Sequence, residues 1–178
     1  MKIFGREYGF AYTVGAYDEI KKLSEDCPDL PKLEMNTRVA VILSNWHERA
    51  ESLRAAAEGR EYTPAPLERE TIDMLTFAEV GQLVAECEAA MARDLGRTVE
   101  TETAEDEKKN RTGGQLIELN TAWYLFYGIK FFNMRRQEIM TTTMGEMQDM
   151  IACLNIYNGA APKAKPMAMD FLQQMEVD

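Results

Sequence analysis

His47 is the one histidine of the chain, and it opens the run His47-Glu-Arg-Ala-Glu51. An imidazole with carboxylates one and four residues away could hold a metal or move protons. The zinc helix motif, however, requires a second histidine at position 51, where glutamate stands. Serine chemistry has three residues to draw on, Ser24, Ser44 and Ser52. Thiol chemistry has Cys27, Cys87 and Cys153, which lie far apart and form no metal-ligand or paired-cysteine pattern. They are expected as buried thiols in a reducing compartment. The acidic run from Glu100 to Glu107 lacks the alternating ligands and turn glycine of a calcium loop. Gly113-Gly114 lacks the lysine and hydroxyl residue that complete a phosphate loop. No catalytic residue, cofactor or metal is therefore expected. A small enzyme built on His47, Glu48 and Glu51 is the one enzymatic alternative.

The residues suited to binding partners are more numerous. Trp123-Tyr-Leu-Phe-Tyr127 puts four rings on a single helix, more than one face can hold. Trp123 and Phe126 share a side and are expected in the core, whereas Tyr124 and Tyr127 are expected to face a partner. Eight of the twelve methionines fall between Met134 and Met175, suiting either an adaptable binding surface or a loosely specified core.

Charge narrows the partners. Thirty acidic against 20 basic residues give a net charge of −10 over 178 residues, which argues against nucleic acid, whose phosphates need clustered Lys and Arg. The chain does not open on an apolar signal segment, and its most apolar stretch, Ala122 to Phe132, is short of the roughly 20 residues of a membrane span. A location in the cytoplasm is expected, with no membrane contact.

The elements that must position these residues are mostly helices. Lys2 to Thr13 predicts a β-hairpin with its turn at Gly5-Arg6-Glu7, Phe10 and Tyr12 sharing one face. Helices are expected from Ala16 to Cys27 and from Lys32 to Glu58. In the second, Val39, Ile42, Leu43, Trp46, Ala50, Leu53 and Ala57 stack at helical spacing and Gly59 makes the stop. Tyr62-Thr-Pro-Ala-Pro66 is a stiff connector. A short helix from Leu67 to Leu75 follows, and Thr76-Phe-Ala-Glu79 is a capping box opening a helix to Leu95. Thr98 to Gly114 predicts a flexible acidic linker. Beyond it, helices are expected over Leu116–Phe132, Arg135–Met140 and, from a second capping box at Thr143-Met-Gly-Glu146, to Tyr157. Ala160–Pro166 is a further linker, and Ala168–Met175 a short last helix. The fold class is mostly α with an N-terminal hairpin on a helical bundle: an α+β unit over 1–97, the linker over 98–114 and a helical unit over 115–178.

Several stretches resemble the tail assembly chaperones of long-tailed bacteriophages. They are Leu119-Asn-Thr-Ala-Trp-Tyr-Leu-Phe-Tyr-Gly128, Met134-Arg-Arg-Gln-Glu-Ile139, Thr141, Gly145-Glu-Met-Gln-Asp-Met-Ile-Ala-Cys-Leu154 and Gly159-Ala-Ala-Pro-Lys163. Residues 1–15 and the connector Tyr62 to Leu67 are similar to the N-terminal part of the same proteins. The resemblance implies that the N-terminal unit coats the tape-measure protein and keeps it soluble. The C-terminal unit would recruit major tail-tube subunits, and the chaperone would leave before the virion is complete. It also implies a long form made by ribosomal frameshifting, for which the linker residues Lys108-Lys109-Asn110 offer a place. On this reading Trp123, Tyr124, Phe126 and Tyr127, with Arg135, Arg136, Met144 and Met147, form the tube-subunit surface. The helix from Val39 to Leu53 then serves the tape measure or self-association. A structural adaptor of the virion tail and a helical inhibitor of a host factor are the competing expectations.

Overall fold

The computed structural model describes residues 1–96 and 121–160. Over them the chain is mostly helical with a two-stranded hairpin at its start, as the patterning predicts. The elements are β1 (Lys2–Ile3), β2 (Arg6–Glu7), α1 (Val14–Asp26), α2 (Lys32–Ala57), α3 (Arg69–Asp73), α4 (Phe77–Asp94), α5 (Thr121–Phe132), α6 (Arg136–Thr141) and α7 (Met144–Tyr157). The predicted linker at 98–114 and the predicted helix at 168–175 lie outside the described residues.

The hairpin is shorter than predicted, and its turn lies one residue earlier. Lys2 pairs with Glu7 and Ile3 with Arg6, leaving Phe4 and Gly5 as a two-residue loop with φ of 46° and 83°. Such a loop needs left-handed backbone at both central positions to match the strand twist, and Gly5 takes one of them without strain. Tyr8 and Phe10 run on past the pairing into the core, where they join Ile3, Ala40, Leu43, Trp46, Leu67, Leu83 and Cys87. The helix α2 is central to this core. Leu43 and Ala55 on it are fully covered, and truncating a fully packed leucine typically costs about 2–5 kcal/mol. It ends at Gly59 (φ 67°), where Arg60 N–H reaches the Ala55 carbonyl at 2.8 Å, the pattern of a glycine C-cap.

Both predicted capping boxes are present. Thr76 N–H donates to Glu79 Oε2 at 2.8 Å, and Thr143 N–H to Glu146 Oε2 at 3.2 Å. The second box has a role its sequence pattern does not announce. Thr13, which caps α1 through its hydroxyl and the Ala16 N–H, pairs antiparallel with Thr143. Val14 N–H reaches Thr142 O at 3.0 Å and Met144 N–H reaches Tyr12 O at 3.1 Å. N-cap residues are extended, so two helix starts lie side by side and complete each other's backbone bonding.

That pairing corrects the expected domain boundary. Among the described residues, one compact unit consists of 1–96 together with 121–147, so α5, α6 and the first turn of α7 are built into the N-terminal part. The described residues of the other unit are 148–160, helical to Tyr157. The end of α4 fastens the same junction: Asp94, 7% exposed, accepts from Tyr12 N–H at 2.7 Å and pairs with Arg93, whose Nη2 donates to Phe10 O. Gly145 lies so close that an added Cβ would overlap the Gly96 carbonyl oxygen.

Candidate protein-binding surface

Helix α5 is apolar almost all round, and two small facts decide how it sits. Tyr124 and Gly128, four residues apart and hence on one face, are its buried residues. Tyr124 meets Tyr17 of α1 edge-on, ring centroids 6.4 Å apart. Gly128 leaves room for Ile139 of α6, whose side chain would overlap any Cβ there. At its start, Thr121 Oγ1 donates to Asp18 of α1 at 2.6 Å; against the opposing effect of burial, the hydrogen bond from Lys22 and then this one hold the Asp18 carboxyl below its usual range.

The other face carries the rings outward. Trp123 is 36% exposed, Phe126 49%, Ile129 57% and Phe131 48%. Trp123, Phe126, Tyr127 and Phe131 stack on one another with centroids 5.7–6.1 Å apart, near-optimal for edge and tilted ring contacts. The expectation for this helix is therefore inverted in part. Trp123 and Phe126 point outward and Tyr124 is core, while Tyr127 is half-buried within the ring cluster. A helix with rings on every side has little amphipathic signal, so Gly128, not the aromatics, marks its packed face.

The remaining predicted binding residues separate. Met144 and Met147 are 3% and 0% exposed and belong to the interior, not to a binding surface. Arg135, the N-cap of α6, and Arg136 at its start are exposed; Arg136 lines a groove of about 910 Å³ with Trp46, Arg49, Leu53, Pro64, Pro66 and Met140. Arg49 lays its guanidinium 4.5 Å from the Trp46 ring centroid, and the buried indole N–H of Trp46 has no acceptor among the described residues. An unpaired buried donor costs about 1–3 kcal/mol.

The connector beside this groove is held by two residues that the sequence offered only for other chemistry, Ser44 and Glu48. Among residues 64–67 only Ala65 and Leu67 have an N–H, since Pro64 and Pro66 lack one. Ala65 donates to Glu48 Oε2 at 2.6 Å and Leu67 to Ser44 Oγ at 2.9 Å. Ser44 and Glu48 stand one turn apart on α2, and Tyr62 O–H also donates to Glu48, at 2.9 Å. The available signal was the alternation of prolines, which left two N–H groups needing buried acceptors.

Burial first, then the Glu48 carboxylate, pushes the Tyr62 hydroxyl up to about 12. Burial likewise pushes the Cys87 thiol up to about 12. Both groups hold their protons more tightly in the folded chain than in the unfolded one. Their contribution is thus complete below about pH 9 and declines as pH rises toward 12. Thermal melts from about pH 8 to 12 are expected to show falling stability, with a shallower fall in Tyr62→Phe and Cys87→Ala. Cysteine placement is corrected for the other two: Cys27 is half-buried and Cys153 exposed.

His47 packs its ring against Gly9, where a Cβ would collide with it, and Glu48 is committed to the connector. Among the described residues no group of three or more His, Cys, Asp and Glu side chains is placed to hold a metal ion. Among them, too, no helix is long and apolar enough to cross a membrane. Comparison with protein-family models, with curated proteins and with solved structures finds no match.

Proposed function

We propose that this chain is a non-enzymatic tail assembly chaperone of a long-tailed bacteriophage, which binds the tape-measure protein, keeps it soluble and recruits major tail-tube subunits in the host cytoplasm. The observation that carries this reading is the solvent-facing ring cluster of α5, which lies within the stretch that resembles that family. Apolar patches of this kind mark protein-binding sites, and a helical, self-associating partner needs an apolar face to lie on. The net charge of −10 favours solubility when many copies crowd one long partner. On this reading Trp123, Phe126 and Tyr127 are the contact residues, a role that the outward ring cluster supports.

The test is co-expression of the full chain with the tape-measure and tube proteins encoded in the same genome. Soluble tape-measure protein that co-purifies with the chain, and a purified virion without it, are the expected results. Retention in the virion would instead make it a tail adaptor. Failure to bind either protein would end the reading.

A further inference from the structure

We propose that the groove between α2, the Tyr62–Leu67 connector and α6 docks an acidic peptide segment of a partner protein that carries a bulky apolar side chain. The inference is independent of the chaperone reading and concerns a different surface from the α5 rings. The groove holds about 910 Å³, the size of pockets that enclose an anchoring side chain and its neighbours. Trp46, Leu53, Pro64, Pro66 and Met140 make its lining largely apolar.

Its charge is opposite to that of the chain. Arg49 has its carboxylate neighbour, Glu19, as far as 3.8 Å away, with both side chains exposed. Arg136 makes no ion pair among the described residues. The lining holds one carboxylate, Glu48, which is buried and already accepts from Tyr62 and Ala65. Arg49, stacked on Trp46 with only a long, exposed pair to Glu19, and Arg136, whose charge Asp18 feels without an ion pair, leave the groove lining net positive on an acidic protein and favour an anionic partner. A bare inorganic anion would leave the apolar wall wet, whereas a peptide with a bulky apolar side chain covers it.

Trp46 and Trp123 are the two tryptophans, so Trp123→Phe leaves Trp46 as the single reporter. The full chain carrying that change is titrated with a synthetic peptide of about twelve residues alternating Glu with Leu and Phe, and with its twin in which every Glu is Gln. A saturable change in Trp46 emission is expected with the acidic peptide. It should weaken at least about tenfold with the Gln twin, and as much in Arg49→Gln/Arg136→Gln. The twin peptide tests the charge on an unaltered groove, so misfolding of the arginine variant cannot hide the answer. Equal binding of both peptides, or no saturable change up to about 1 mM, overturns the proposal. So does a concentration-dependent dimer lost in Arg136→Gln, which would assign the groove to a second copy of this chain.

Discussion

Gly145→Val is expected to cost about 3 kcal/mol and lower the melting temperature by roughly 6–12 °C, as read by thermal denaturation of the full chain. A Cβ at this position would overlap the Gly96 carbonyl oxygen and lie 2.9 Å from that of Asp94. Both obstacles are backbone, so no rotamer change relieves them. The strain would fall on the junction where Asp94 holds Tyr12 and where Thr13 meets Thr143. Gly81→Ala is the matching control. Gly81 sits mid-helix in α4 with open space around it, so alanine should stabilise by about 0.5–1 kcal/mol through helix propensity and the unfolded-chain entropy. A neutral Gly145→Val would mean that the close approach of these backbones is not what holds the junction.

Phe126→Ser/Phe131→Ser should separate binding from folding. Each ring is about half exposed, and the cost to the fold is limited to ring-on-ring contacts, about 1 kcal/mol in all and a melting shift of roughly 2–4 °C. Truncating an aromatic anchor at an interface costs about 2 kcal/mol or more. Capture of the tape-measure or tube protein is therefore expected to fall at least about thirtyfold in the double variant, measured by quantitative co-purification. Undiminished capture by a well-folded double variant would remove α5 from the binding surface. Replacing Tyr124 is a poor substitute for this experiment, because its 3% exposure makes any loss of binding a loss of fold.

How much of this was legible in the residues varied with the kind of signal. Capping boxes are local, and both translate directly into structure. The hairpin turn slipped by one residue because the loop needs two left-handed positions, and Phe4 is an unusual residue to occupy one. The orientation of α5 was out of reach, since its apolar face is not distinguished by composition and only Gly128 marks the packed side. The domain boundary failed for a related reason. An acidic, glycine-containing stretch such as 98–114 looks like a divider, yet nothing in it tells which neighbours the helices beyond it will choose. Those choices rest on non-local pairs: Thr13 with Thr143, Asp18 with Thr121 and Tyr17 with Tyr124. Ser44 and Glu48 were legible only as polar residues on a helix, until the prolines supplied the unpaired N–H groups they serve.

The pairing of Thr13 with Thr143 also sets a timetable for the chain on the ribosome. At about 5–20 residues per second, roughly 6–26 s separate the synthesis of these two threonines. During that interval the start of α1 exists without the strand that closes it, and the Val14 N–H has yet to meet the Thr142 carbonyl. Throughout that interval the nascent chain carries one edge of its compact unit open, and the emergence of residues 142–144 is the event that shuts it.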